Sequence, residues 1–198
     1  MTNGSKHFFR QRSAAAGLGL MEGIAVLGVM TLLLVMVAQI FLVSYDAYAK
    51  QSARANNDAA AMLSARAIAE ATRGAVEILA SYSINGHTYT SSSDELVLRL
   101  PSIDADGNVM DGEYDYIAFY RDSTETEKIF SDIAPGASSY RFSGQKLMAD
   151  HNAVFTLRYN SSNITEANRV SVYLKNQQIV RQADVATEAW SSIFLRNR

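Results

Sequence analysis

The sequence of 198 residues contains no cysteine. Disulfides, thiolate metal sites and a cysteine nucleophile are excluded together. A domain exposed outside the cell would then be held by its core, or by assembly with neighbours. Histidine is scarce. His7, His87 and His151 lie far apart, share no metal-ligand spacing, and read as surface or turn residues. The net charge of -2 argues neither for nor against nucleic acid as a partner, but no basic patch with interleaved aromatics occurs beyond the N-terminus, so direct nucleic-acid binding is not expected. Catalytic signatures are missing as well: there is no G-x-S-x-G, no H-E-x-x-H and no phosphate-loop pattern. Asp122, Glu125 and Glu127 read as a solvated loop rather than paired catalytic carboxylates. The sequence predicts neither an enzyme nor a cofactor.

The most informative absence is that of charge. From Gly23 to Val43 there is no ionisable side chain, and only Thr31 and Gln39 interrupt the apolar residues. Such a run, wound as a helix, spans roughly 32 Å, the thickness of a bilayer core. Lys6, Arg10 and Arg12 precede it without an acidic residue, whereas the distal flank, Asp46, Lys50 and Arg54, is weakly biased. Positive charge ahead of a hydrophobic run holds that end in the cytoplasm, so the expected orientation is N-terminus in, C-terminus out. A cleaved secretory signal has a shorter core and a small-residue cleavage site, and Phe41-Leu42-Val43-Ser44-Tyr45 offers none. A plain signal anchor explains the length and the flank. It does not explain Glu22, a lone carboxylate just inside the apolar run. An unpaired acid near the membrane edge costs about 1–3 kcal/mol and calls for a named partner.

The basic leader, Gly17, then Leu18-Gly19-Leu20-Met21-Glu22 and an apolar helix resemble the class III signal of type IV prepilins and pseudopilins. The resemblance covers the first 45 residues or so. It implies cleavage between Gly17 and Leu18 by a prepilin peptidase, N-methylation of Leu18, and an assembly role for Glu22 as fifth residue of the mature chain. It also implies a lipid bilayer before assembly, a membrane assembly platform, and like or related pilin subunits as partners, in a bacterial pilus-like or type II secretion-like filament. Leu18 stands where phenylalanine is usual, Gly19 where threonine is common, and no proline interrupts the helix. Physical chemistry supports the mapped roles. The freed α-amine is largely cationic at neutral pH. Among packed apolar helices it can pair with Glu22 of an adjoining copy, satisfying two stranded charges and fixing register. The plainer alternative is that Glu22 reaches out to the membrane interface. Gly19 and Gly23 form a weak small-xxx-small pair that would let helices approach closely. A non-polymerising single-pass envelope protein with an exposed binding domain is the competing reading.

Beyond the membrane segment the expected class is α+β: a long helix whose second half packs on an antiparallel sheet, as in pilins. The expected divisions are a leader at 1–17, a transmembrane and assembly helix at 18–45, its amphipathic continuation at 46–82 and a sheet domain at 83–198. Met62, Ala65, Ala69, Thr72, Val76 and Leu79 form an apolar stripe at helical spacing. Arg66-Glu70 and Arg73-Glu77 are spaced as i,i+4 pairs on another face. Asn56-Asn57-Asp58 is the weakest helical stretch, and Asn85-Gly86 signals a turn. Strands are expected at 95–100, 114–120, 127–130, 139–142, 153–159, 169–174 and 178–183, and a short helix at 144–150. The tail at 193–198 could add an edge strand. Asp104, Asp106, Asn108 and Asp111 carry oxygen ligands at near-alternate positions, as calcium requires, yet lack a bidentate glutamate and also fit an ordinary hairpin turn. Two glycosylation-like triplets, beginning at Asn160 and Asn163, are read as chance.

Overall fold

The computed structural model describes the backbone of residues 8–195 and the side chains of residues 19–195. The first seven residues, the side chains of Gly17 and Leu18, and the tail after Leu195 lie outside the described residues. The chain divides into two compact units, Met1–Ala49 and Lys50–Arg198. Helix α1, Phe8–Gly74, supplies the described part of the first unit and opens the second. After it come β1 (Glu77–Leu79), β2 (Ser81–Ile84), β3 (His87–Thr90), β4 (Glu95–Ile103), β5 (Val109–Arg121), β6 (Ile129–Ala134), β7 (Gly144–Ala149), β8 (Asn152–Tyr159), β9 (Arg169–Val180) and β10 (Ala183–Phe194). The architecture is α+β, and every strand pairing is antiparallel. The strands divide among three sheets: β1-β4-β5-β6-β7, β10-β9-β8, and the hairpin β2-β3.

In the second unit the helix buries a face of small residues. Ala61, Ser64, Ala65, Ala69 and Thr72 are at most 8% exposed, with Ile68 as the one large side chain at 0%. Small side chains let the sheets approach the helix axis, and Ala and Ser keep the rotamer entropy lost on burial low. One core joins Ile68 to Leu98, Phe119 and Ile129 of the five-stranded sheet and to Phe155, Val172 and Leu174 of the three-stranded sheet. The stripe inferred from spacing is therefore correct at Ala65, Ala69 and Thr72, but Met62 is exposed.

Two helical expectations fail for the same reason. The helix stops at Gly74 rather than near residue 82. Glycine is a poor helix former, and the next residues gain more by pairing with β4. The amide of Val76 donates to Arg99 O, and Ile78 sits opposite Leu98, 1% exposed. Glu77 accordingly meets Arg99 across the strands at 3.0 Å rather than Arg73 along a helix, while Arg66-Glu70 forms as expected at 2.7 Å. Residues 144–150 form no helix. They pair along β6 as strand β7, because an open sheet edge outweighs the helical propensity of Gln145, Lys146, Leu147 and Met148. Residues 139–142, expected as a strand, are irregular.

Asn57 does not loosen the helix. It is buried, its Nδ2 donates to Val185 O at 3.2 Å, and its own carbonyl accepts from Asn176 Nδ2. Asn152 Nδ2 in turn donates to Asn176 Oδ1 at 3.0 Å. Three buried amides thus tie the helix to β8, β9 and β10.

The hairpin turns differ in quality. Asn85 and Gly86, both at positive φ, form the two-residue turn between β2 and β3, with residue types that tolerate this backbone. Arg181 and Gln182 make the same turn between β9 and β10 at φ 47 and 64, without a glycine or asparagine. Replacing Gln182 by glycine is expected to stabilise the unit by about 0.5–1 kcal/mol, read as a higher denaturant midpoint with unchanged slope.

Candidate assembly and membrane segment

Among the described residues one helix is long and apolar enough to cross a membrane, and its apolar part lies near the N-terminus. Every side chain from Gly19 to Tyr45 is exposed. Leu27, Leu34, Ile40 and Phe41 each present more than 60% of their surface. A soluble chain rarely leaves so large a continuous apolar surface open. One of the two polar interruptions, Thr31, is satisfied within the helix. Thr31 Oγ1 donates to Leu27 O at 2.7 Å, which removes its unsatisfied hydroxyl from an apolar medium. Gln39 lines a shallow, almost wholly apolar hollow with Met36, Ile40, Val43 and Ser44.

Glu22 stands exposed within this surface and makes no ion pair with any described residue. A β-carbon built on Gly19, Gly23 or Gly28 would meet nothing within 4 Å, so these positions are open to an approaching helix. The backbone at Gly17 and Leu18 is helical, and their side chains are outside the described residues. Glu22 is thus a carboxylate on a bare apolar rod, one helical turn beyond that junction.

The Lys50–Arg198 unit holds its buried carboxylates in structural roles. Asp115, whose side chain is 1% exposed, accepts from Ser102 Oγ at 2.7 Å, the Gly136 amide at 2.7 Å, Ser139 Oγ at 2.9 Å and the Arg141 guanidinium. Burial raises its pKa, but these four donors outweigh burial and hold the carboxyl below its ordinary value. Arg141 also donates to Pro101 O at 2.6 Å. Together these bonds bind the segment 135–143 onto β4 and β5. Gly136 is needed there: a β-carbon would come 2.7 Å from Ser102 Oγ and 3.0 Å from Tyr114 O. Asp132 accepts from Asn85 Nδ2 and Tyr89 OH, each at 3.0 Å, pinning the β2-β3 hairpin over the five-stranded sheet. Beneath that hairpin Tyr82 stacks on Tyr116 at 3.7 Å.

The Asp104–Asp111 stretch forms the turn joining β4 and β5. Asp104 Oδ1 accepts from the amides of Asp106 and Asn108, and Asn108 Nδ2 donates to Asp104 Oδ2. The Asn108 amide and side chain draw the Asp104 pKa down. The carboxylate thus serves the turn. Among the described residues no three His, Asp or Glu side chains gather as metal ligands. Asp122 likewise caps a loop through the amides of Thr124 and Glu125, and Glu125 meets Lys128 at 2.5 Å.

The chain matches no family model, no curated protein and no solved structure.

One surface escapes the sequence reading. In the three-stranded sheet, Trp190 pairs with Tyr173, and Tyr173 with Thr156, all on the face turned from the core. Ser192, Ser171 and Arg158 form the next row, and Phe194 lies opposite Arg169. Trp190 and Phe194 are 70% and 62% exposed. The signal was the alternation from Asp184 to Phe194, muted by its alanines, serines and threonine.

Proposed function

We propose that this chain is a pilin-like structural subunit: its apolar helix resides in the membrane, is processed after Gly17, and then packs among the helices of other copies or related subunits in a filament. One observation carries this reading. A bare apolar helix bears a single carboxylate one turn past a Gly-Leu junction, and the same helix continues into an α+β head. Such a surface has two stable surroundings, lipid or other apolar helices. The carboxylate distinguishes them, because only a neighbouring chain end brings a cation to it. The peptidase acts from the cytoplasm, where Lys6, Arg10 and Arg12 hold the leader. The head lies outside the cytoplasmic membrane and forms the filament surface. The mechanism is therefore assembly rather than turnover.

The native N-terminus decides the matter. Mass measurement on protein taken from cells should find a chain beginning at N-methylated Leu18. A chain that keeps its leader is instead a single-pass envelope protein. Gly17→Asp should leave the leader attached, with the mature mass absent. An unchanged mature mass for that variant would reject the assigned cut.

A further inference from the structure

Two exposed patches of the head are complementary. The first is the outer face of β10-β9-β8. It carries Trp190, Tyr173 and Phe194 with Arg158, Arg169 and Lys175, and Arg169 lies 5.7 Å over the Phe194 ring. Lys175 is opposite Glu188, and among the described residues Arg158 and Arg169 make no ion pair. Beside Arg158 is a hollow of about 400 Å³ lined by Val154, Thr156, Arg158, Ser171, Tyr173 and Trp190.

The second patch is the β4-β5 turn with the segment bound beside it. It carries Asp104, Asp106, Asp111 and Glu113, and the nearby cation Arg141 is committed to Asp115 and Pro101 O. Large apolar side chains stand among these acids: Val109 and Tyr140 are each 62% exposed and Phe142 is 86% exposed. The Tyr140 amide donates to Ile103 O at 2.8 Å, which places that segment against the base of the turn. A phenylalanine held so far into solvent, on a segment fastened by a buried carboxylate, is a preformed anchor rather than a frayed loop.

We propose that the acidic turn of one copy docks on the Arg-aromatic face of another copy of this chain, with Phe142 entering the hollow beside Trp190 and with Asp106 and Asp111 facing Arg158 and Arg169. Charge complementarity selects the occupant: the face presents two guanidinium groups with no ion pair among the described residues, beside a hollow walled by the Trp190 and Tyr173 rings, and the turn presents carboxylates with an apolar anchor. The contact joins unlike patches. The pair therefore keeps one free patch of each kind, one on each copy, and the contact propagates instead of closing as a symmetric dimer. It deepens the filament reading and rests on it for the copies being held side by side.

The absence of cysteine makes the test clean. Full-length chains carrying Ser143→Cys, beside the anchor, and Ser171→Cys, in the hollow, are expressed in cells that assemble the protein and treated with a short bis-maleimide. The double variant should give a ladder of dimers, trimers and higher species. A mixture of the two single variants should give dimers only, and each single variant alone should stay monomeric. Adding Arg158→Glu and Arg169→Glu should cut the ladder about tenfold. Adding Asp106→Lys and Asp111→Lys to that chain should restore it, which separates a lost contact from a lost fold. Cross-linking by either single variant alone, a ladder indifferent to charge reversal, failure of the second reversal to restore it, or capture of a different protein would each overturn the proposal. The N-terminal mass from the same preparation keeps the two readings apart. A processed, methylated chain without the ladder removes this contact, whereas a laddering chain that keeps its leader removes the filament.

Discussion

Replacing Asp115 by alanine is expected to destabilise the Lys50–Arg198 unit by about 3–5 kcal/mol, the range found when one member of a buried charged pair is removed. The loss is large because four donors converge on one carboxylate. Without it the Arg141 guanidinium, the Ser102 and Ser139 hydroxyls and the Gly136 amide each lose an acceptor in a site that water enters poorly. Urea unfolding of the full chain in detergent, followed by the fluorescence of Trp190, its one tryptophan, measures the effect. Asp115→Asn keeps the shape and one acceptor but removes the charge, so an intermediate loss is expected.

Acid adds a second readout. The carboxyl of Asp115 titrates lower in the folded unit than in the unfolded chain. Its contribution is therefore complete above the unfolded value of about 3.9 and disappears as pH falls through the lower folded value. Stability should fall below about pH 4, and the Asn variant should show a shallower acid limb. Equal acid limbs for the two chains would remove Asp115 from this role.

Glu22→Ala is expected to leave membrane insertion intact or improved, and to lower incorporation into filaments on the order of a hundredfold. The estimate follows from about 3 kcal/mol for stranding one partner of a buried pair, here the freed α-amine of the adjoining copy. Removing an acid from the edge of the apolar run recovers about 1–3 kcal/mol of insertion, so the two effects have opposite signs. That opposition gives the measurement its force, because a variant that merely misfolds loses both. Glu22→Gln retains hydrogen bonding without charge and should fall between. Filament yield and membrane-fraction abundance are measured on the same cells, and normal incorporation of the alanine variant would eliminate the pairing role.

The legible parts of the sequence were those where one physical demand dominates. The uncharged run from Gly23 to Val43 admits few surroundings, and the aromatic, β-branched segment Tyr114–Tyr120 falls within β5 as expected. The α+β class followed from the long helical stretch and the series of short strands separated by turn residues after it. What stayed hidden was set by neighbours distant in the chain. Residues 75–79 continue a helical stripe on paper, yet β4 offers them a ladder. Asn57 looked like a flaw in the helix because its partners, Val185 and Asn176, lie more than a hundred residues away. The Trp190 face was hidden for another reason: its alternation rests on weakly apolar residues, and only pairing with β9 shows which of them share a side.

The bond from Asn57 to Val185 spans 128 positions and connects an early segment to the last strand. Its partner is therefore among the final parts of the chain to be synthesised. A polypeptide threaded vectorially through a membrane would expose residues 50–74 well before β10 emerges, and contacts of such high sequence separation form late and slowly. During that interval the small-residue face of the helix has only part of its cover, from β4, β5, β6 and β8, and lacks Val172 and Leu174 of β9. A chain lacking β9 and β10 leaves the Asn57 side-chain amide without its Val185 acceptor and the Asn57 carbonyl without its Asn176 donor, so that stretch of helix is anchored only once both strands are in place.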